Sequence, residues 1–506
     1  MLLLAAAMGV ALAQQPAAAN PTGRWAVVFN QDLPANLDQQ VAAAGGTVSE
    51  RIPELGAVRV ESTAPDFQAR MAATTGVRAV SADPDFQLIP EENAAPEAPP
   101  LAPPEDGLKG PAEPAGPDPQ PGFDNFYNQQ WDKMRMNASA TGSYSVQRGR
   151  RDVVAAVLDT GAEVLPVAHP DIAPNLDFTR SRSFVGANPP GGDPNPAVWD
   201  DKNGHGSWCL SAIGAPINTV GVSGVAPNVT LVALKVLSDT GSGSYLDLAE
   251  ALVYAGVNKF DVASMSLGGY LNHSDFEALY IVVQRAVEFA RSNGTLPVAA
   301  LGNDNFDLSD GSFVRDFVET PGEVPGVVGV SATGYYNRKS YYSNYGLGKA
   351  DVSAPGGDRI FQIPPPIYRG GGRVLGAWAV ENLGGVAPVL REEDCDATSG
   401  CGAYAWVQGT SMSTPNTAGV AALIISQYGD FTPDNSQKLH MSPTAVESIL
   451  QITANNQPCP QPRTVSYPGA PPTLPTSARC NGGTGDNGFF GKGIVDAFKA
   501  VTYQPA

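Results

Sequence analysis

Four polar residues, far apart along the chain, stand where side chains could do chemistry. Asp159 ends a strongly apolar run in "AAVLDTG", and His205 lies between two glycines in "NGHGSWCLSAIG". Asn303 follows another apolar run in "VAALGNDN", and Ser411 lies in "GTSMSTP", just ahead of the helical stretch "NTAGVAALIISQYG". Each has a plain structural explanation when taken singly. Asp-Thr-Gly is a common turn, Asn tolerates left-handed turn geometry, and Ser or Thr with Pro is what caps a helix. Together they meet the separate requirements of acyl transfer. A serine hydroxyl is a poor nucleophile until an imidazole removes its proton, and the imidazole needs a buried carboxylate to fix its tautomer and stabilise its charged form. The oxyanion that follows needs donors already in place, which the Asn303 amide and the Ser411 backbone N–H would supply at a helix N-terminus favouring negative charge. Of the other three histidines, His169 and His273 read as loop residues and His440 precedes a late helix.

The elements that must hold these residues are legible as alternation. "DVVAAVL", "TLVALKV", "DVASMSL", "TLPVAAL" and "GVVGVSA" are continuously apolar, the pattern of strands buried on both faces of a parallel sheet. Between two of them, "SDFEALYIVVQRAVEFARSNG" reads as a helix with a Ser274/Glu277 capping box and Gly294 at its stop. Such alternation predicts an α/β domain with helices on both faces of a mostly parallel sheet. Asp159 then falls at the carboxyl end of a strand, where open α/β sheets build their sites.

Residues 24–89 predict a separate βαββαβ unit, an α+β, ferredoxin-like arrangement built on "RWAVVF", "LDQQVAAAGG", "TVSERI", "GAVRVES", "DFQARMAATTG" and "VRAVSA". Residues 91–121 are dense in Pro, Ala and Glu and are expected to be an extended linker. Residues 357–408 and 455–485 are rich in Gly and Pro and are expected to be surface insertions. The run Leu2–Ala13 is too short to span a bilayer and ends in small residues, as a signal peptide does, although no basic residue precedes it. Net charge is −19, from 31 Lys+Arg against 50 Asp+Glu, and no basic cluster occurs, which argues against nucleic acid or anionic membrane as partner. Cys395 with Cys401 and Cys459 with Cys480 can close two loops in an exported chain and would leave Cys209 odd; five free thiols is the alternative.

The order Asp, His, Ser along an α/β chain, with no G-x-S-x-G elbow because position 413 is Ser, is the subtilisin order. In "DTG", "GHGS", "GND" and "GTSMSTP", and from about residue 122 to 502, the chain resembles the subtilases, the subtilisin-like serine peptidases. The resemblance implies Asp159, His205 and Ser411 as catalytic residues and Asn303 as oxyanion donor. It implies Ser266, Leu267 and Gly268 of "SMSLGG" as a strand that pairs with substrate backbone. It also implies a signal peptide at 1–13, an inhibitory propeptide at 22–90, a linker at 91–121 and a catalytic domain at 122–506. No cofactor is expected for catalysis. At least one structural calcium is expected because many subtilases bind it, with no ligand assigned. Protein or peptide substrates and the chain's own propeptide are the expected partners, for a monomer secreted to the exterior, periplasm or cell surface. An esterase on the same triad and an inactive surface-binding protein are the alternatives. Three departures from the family stand out. Gly206–Ser211 replaces the usual Gly-Thr-His-Val-Ala-Gly, Leu301 is larger than expected beside the specificity pocket, and Cys209 resembles the free cysteine that some subtilases carry beneath this histidine, where packing is its expected role.

Overall fold

The computed structural model describes residues 23–88, 122–186, 191–360, 370–382, 391–396, 400–431 and 439–504. The expected signal peptide and linker, with Ile89 and Pro90, lie outside the described residues. The N-terminal unit comprises β1 (Arg24–Phe29), α1 (Leu37–Ala44), β2 (Thr47–Ile52), β3 (Ala57–Glu61), α2 (Phe67–Ala72) and β4 (Val77–Ala82). Its strands form an antiparallel sheet in the order β2-β3-β1-β4. Strand alternation explains why the unit is covered on both faces. Val27 and Phe29 meet Val41, Phe67 and Met71 of its own two helices. Ala26 and Val28, on the opposite face, join the core built around Leu248, Leu252, Val282 and Ala286 of the larger domain. A short β5 (Phe86–Gln87) follows.

In the larger domain, β6 (Val154–Asp159), β7 (Arg182–Ser183), β8 (Thr230–Lys235), β10 (Val262–Met265), β12 (Leu296–Ala300), β14 (Val328–Thr333) and β15 (Val352–Pro355) make one sheet in the order β15-β14-β12-β10-β6-β8-β7. Every adjacent pair in it is parallel. Four helices are named from this domain: α3 (His205–Gly214), α4 (Tyr245–Val257), α5 (Glu277–Ser292) and α6 (Thr410–Tyr428). Because β6, β10 and β12 are neighbours running the same way, their carboxyl ends bring Asp159, Ser266 and Asn303 to one edge of the sheet. Helix α6 is buried over nearly its whole length, which is why its sequence is apolar and small on every side.

The structure corrects two sequence expectations, the capping box and the surface placement of residues 357–408. Helix α5 begins at Glu277 without a side-chain cap, because Asn272 Oδ1 takes both the N–H and the hydroxyl of Ser274 and holds that residue in the preceding turn. The described residues of the stretch 357–408 are largely buried. Its β16 (Val374–Trp378), β17 (Arg391–Asp396) and β18 (Gly400–Val407) form an antiparallel sheet, with Trp378, Tyr404 and Trp406 buried in the main core. The stretch 455–485 lies mostly at the surface, as expected, and is anchored by Tyr467 and Cys480, which are buried against Tyr341, Tyr345 and Phe489. His169 is buried, accepts the Asp171 N–H at Nδ1 (3.1 Å) and donates from Nε2 to Ala403 O (3.0 Å), which ties its loop to β18. Burial lowers its pKa to about 4, so the ring is neutral at ordinary pH. The bonds Cys395–Cys401 and Cys459–Cys480 are formed and Cys209 is free.

Candidate active site

Asp159 is the last residue of β6 and His205 the first of α3, and both are buried. Asp159 Oδ1 lies 2.7 Å from His205 Nδ1 and also accepts the Thr160 N–H at 2.7 Å. The start of α3 is fixed by Asp201, whose carboxylate accepts from the Thr160 hydroxyl, the N–H groups of Asn203, Gly204 and Ser207, and the Ser207 hydroxyl. Gly204 is required here twice over. Its φ is +107°, and a Cβ would lie 2.3 Å from the Trp378 ring. Burial alone would lower the pKa of the His205 ring, but the adjacent Asp159 carboxylate more than offsets it and holds the ring well above the ordinary imidazole value.

Ser411 is the second residue of α6, and its hydroxyl donates to Ser266 O at 3.3 Å. Pro415 has no N–H to give back to the Ser411 carbonyl four residues earlier. That carbonyl instead accepts from the Ser266 hydroxyl at 2.7 Å and lies 3.8 Å from Cys209 Sγ. The proline of "GTSMSTP" therefore lies past the first turn and frees an acceptor that pins the helix to the end of β10. Cys209 Sγ is also 3.9 Å from His205 Nδ1, so Ser411 and His205 flank the same thiol. Burial raises the Cys209 pKa to about 11, which leaves it a packed, protonated group. Behind it, Trp208 packs on Gly376 of β16, where a Cβ would come within 2.6 Å of the indole. The departure from the family after His205 is matched by the buried strand β16.

Asn303 Oδ1 accepts from both the N–H and the hydroxyl of Thr410, each at 2.9 Å, which turns Nδ2 outward. A Cβ built on Gly409 would lie 3.3 Å from Asn303 Nδ2 and 3.6 Å from Ser411 N, so both donors border the same side of that glycine. Thr410 was not anticipated from sequence, and neither was Asn344. The Asn344 amide donates to Leu301 O (2.7 Å) and accepts from the N–H groups of Asp304 (3.1 Å) and Phe306 (2.9 Å), clamping the turn that carries Asn303.

Ser266, Leu267 and Gly268 run from β10 toward β11 (Gly269–Asn272), which pairs with β13 (Phe317–Thr320). Leu301 turns its side chain toward Gly322 and Gly329 and joins Leu308 and Phe313 in a small core. A second edge, β9 (Ser242–Gly243), was missed because "GSGS" has no strand propensity. It pairs antiparallel with β5, Leu88 N–H donates to Gly241 O at 2.6 Å, and the Phe86 ring lies 4.7 Å from that of Tyr245. The N-terminal unit is tied down further by Arg285, which donates to Phe29 O (2.9 Å) and Leu55 O (2.7 Å), and by Arg59, which donates to Ser244 Oγ (2.9 Å) and pairs with Asp247.

Among the described residues, the one convergence of three His, Cys, Asp or Glu ligand atoms is Asp159, His205 and Cys209. A thiol, an imidazole and one carboxylate do not meet calcium's need for six to eight hard oxygens. Among the described residues no helix is long and apolar enough to cross a membrane.

The profile of the Subtilase family matches residues 150–493. The chain is 33% identical over 281 residues to subtilisin E of Bacillus subtilis (strain 168), covering 56% of this chain and 57% of that protein. It is also 33% identical over 281 residues to the subtilisin of Bacillus pumilus, covering 56% of this chain and 79% of that protein. The chain thus spans a little over half the length of subtilisin E and of subtilisin NAT, another of the curated relatives it matches. The epidermin leader peptide processing serine protease of Staphylococcus aureus aligns with TM-score 0.65 over 95% of this chain and 99% of that one; at 19% identity this is a likeness of fold.

Proposed function

We propose, from the premise that the chain belongs to the subtilase family, that it is a serine endopeptidase working through Ser411, His205 and Asp159. The observation that carries this is the buried Asp159–His205 pair at 2.7 Å, set across Cys209 from Ser411 at the start of a helix. Rotation about the Ser411 Cα–Cβ bond releases its hydroxyl from Ser266 O and turns it to the imidazole. His205 Nε2 takes the proton as Oγ attacks the peptide carbonyl, and Asp159 stabilises the imidazolium. The oxyanion is received by Asn303 Nδ2 and the Ser411 N–H. His205 then protonates the leaving amine, and water repeats the sequence on the acyl-enzyme. Ser266–Gly268 and the edge at Gly241–Gly243 hold the substrate as an added strand, so affinity comes from main-chain hydrogen bonds.

The domain scheme belongs to the same proposal: a secreted monomer made with a signal peptide at 1–13, an inhibitory propeptide at 22–90 and a linker at 91–121, cut by its own active site. The pairing of β5 with β9 supports it, since it brings Leu88 against Gly241, where a Cβ would also lie 3.7 Å from the amide of Asn203, two positions before His205 in the sequence. A structural calcium is retained on family likeness alone.

The test is labelling by a fluorophosphonate, expected on Ser411, together with kcat/KM for a peptide and for a short acyl ester. An enzyme that turns over the ester but no peptide would be an esterase, and a chain that is neither labelled nor active would be a binding protein. Within the active chain, Asn303→Ala is expected to lower kcat by on the order of 10²- to 10³-fold with little change in KM, because the lost donor serves the transition state. Steady-state kinetics on one peptide checks this, and an equal rise in KM would move Asn303 to substrate binding.

A further inference from the structure

Glu319, on β13, is 1% exposed, and among the described residues neither of its carboxylate oxygens has a hydrogen-bond partner. A buried carboxyl left this way is costly and asks for a reason. Its surroundings are acidic rather than basic. Burial, helped by the neighbouring carboxylates Glu323 and Asp304, holds its pKa well above the usual carboxyl range, and the nearby N–H groups of Gly322 and Glu323, outside hydrogen-bond geometry to the carboxylate, offset this only in part. The nearby Lys349 is already paired with Glu323.

Its position is specific. A Cβ on Gly268 would lie 2.3 Å from Oε1, and a Cβ on Gly322 would lie 2.3 Å from Oε2 and 2.6 Å from Ala300 O. Glu319 therefore bridges two segments that both lead to the reacting groups. Gly268 is two residues past Ser266, whose carbonyl accepts the Ser411 hydroxyl, and Ala300 ends the strand that leads to Asn303. A side chain at either glycine would collide with the Glu319 carboxylate, so both glycines are what admits the carboxyl between the two segments.

We propose that Glu319 forms the floor of the pocket that receives the side chain preceding the scissile bond, and that this pocket selects lysine or arginine. The inference rests on the endopeptidase proposed above and names its substrate class. A substrate ammonium or guanidinium would supply the cation that no described residue supplies, inside a site where a charge pair is little screened. An apolar side chain would leave the carboxyl unmatched.

The experiment compares kcat/KM for peptides that differ only in Arg, Lys, Gln, Leu or Phe before the cleaved bond. The wild-type chain should favour Arg and Lys over Gln and Leu by on the order of 10²-fold, the scale of a buried charge pair losing one partner. In Glu319→Gln that ratio should fall to near one, with fluorophosphonate labelling reporting that the variant is folded; the wild-type ratio decides the matter should the variant not fold. A wild-type preference for Leu or Phe, or a basic preference that survives Glu319→Gln, overturns the assignment and leaves the endopeptidase standing. Failure to cleave any of the peptides, with no fluorophosphonate labelling, overturns both.

Discussion

Ser411→Ala is expected to lower kcat by about 10⁶-fold, the scale found when the nucleophile of a subtilisin-type triad is removed. The fold should not change. Ser411 contributes its main-chain carbonyl to the Ser266 hydroxyl and Cys209, and alanine keeps that carbonyl while deleting only the oxygen that donates to Ser266 O. Binding of peptide along the Ser266–Gly268 and Gly241–Gly243 edges uses backbone groups and should persist. Steady-state rates on one peptide measure the loss, and fluorophosphonate labelling should disappear with it. In a host lacking other proteases the variant should also keep its N-terminal unit covalently attached. A Ser411→Ala chain that is shortened as the parent is would show that maturation is not self-processing.

Asp159→Asn is the second large effect, expected near 10⁴-fold in kcat at neutral pH. The amide is close in shape and can still accept the Thr160 N–H, but it cannot stabilise an imidazolium or enforce the tautomer with the proton on Nδ1. The pH profile separates this from simple damage. Asp159 holds the ring's pKa well above the ordinary value, and only the neutral ring can accept a proton, so wild-type kcat/KM should climb with pH into the alkaline range. Removing the negative charge lets burial lower the ring's pKa. The acid limb of Asp159→Asn should therefore move to lower pH while the plateau falls. An unmoved limb would mean that the titrating group is not His205.

The parts of this arrangement that could be read from sequence are those governed by short-range rules. Continuous apolar runs mark the buried strands β6, β8, β10, β12 and β14, and the alternation of Val27 and Phe29 with Ala26 and Val28 marks a sheet covered on two sides. The four positions proposed to react are legible because each ends or closely follows a strand or opens a helix. Edge strands β7 and β15 are short and were not seen. The β16–β18 sheet was misjudged because Gly and Pro composition suggests surface, whereas here Gly376 is the flat face on which Trp208 rests. Thr410 and Asn344 act only through contacts made across 107 and 43 residues, and no local pattern announces them. Glu319 reads as one more acidic residue until the two glycines are placed against it.

The pairing of β5 with β9 has a consequence for timing. Phe86–Leu88 belongs to the same polypeptide as the edge it covers, so before any bond is cut the covering segment is present at an effective molarity fixed by the tether, on the order of millimolar. Dilution cannot relieve that occupancy. Were the connection severed, as proposed above, the same contact would become bimolecular and weaken as the solution thins, so a single hydrolytic event would turn a cleft insensitive to protein concentration into one that empties as its product spreads.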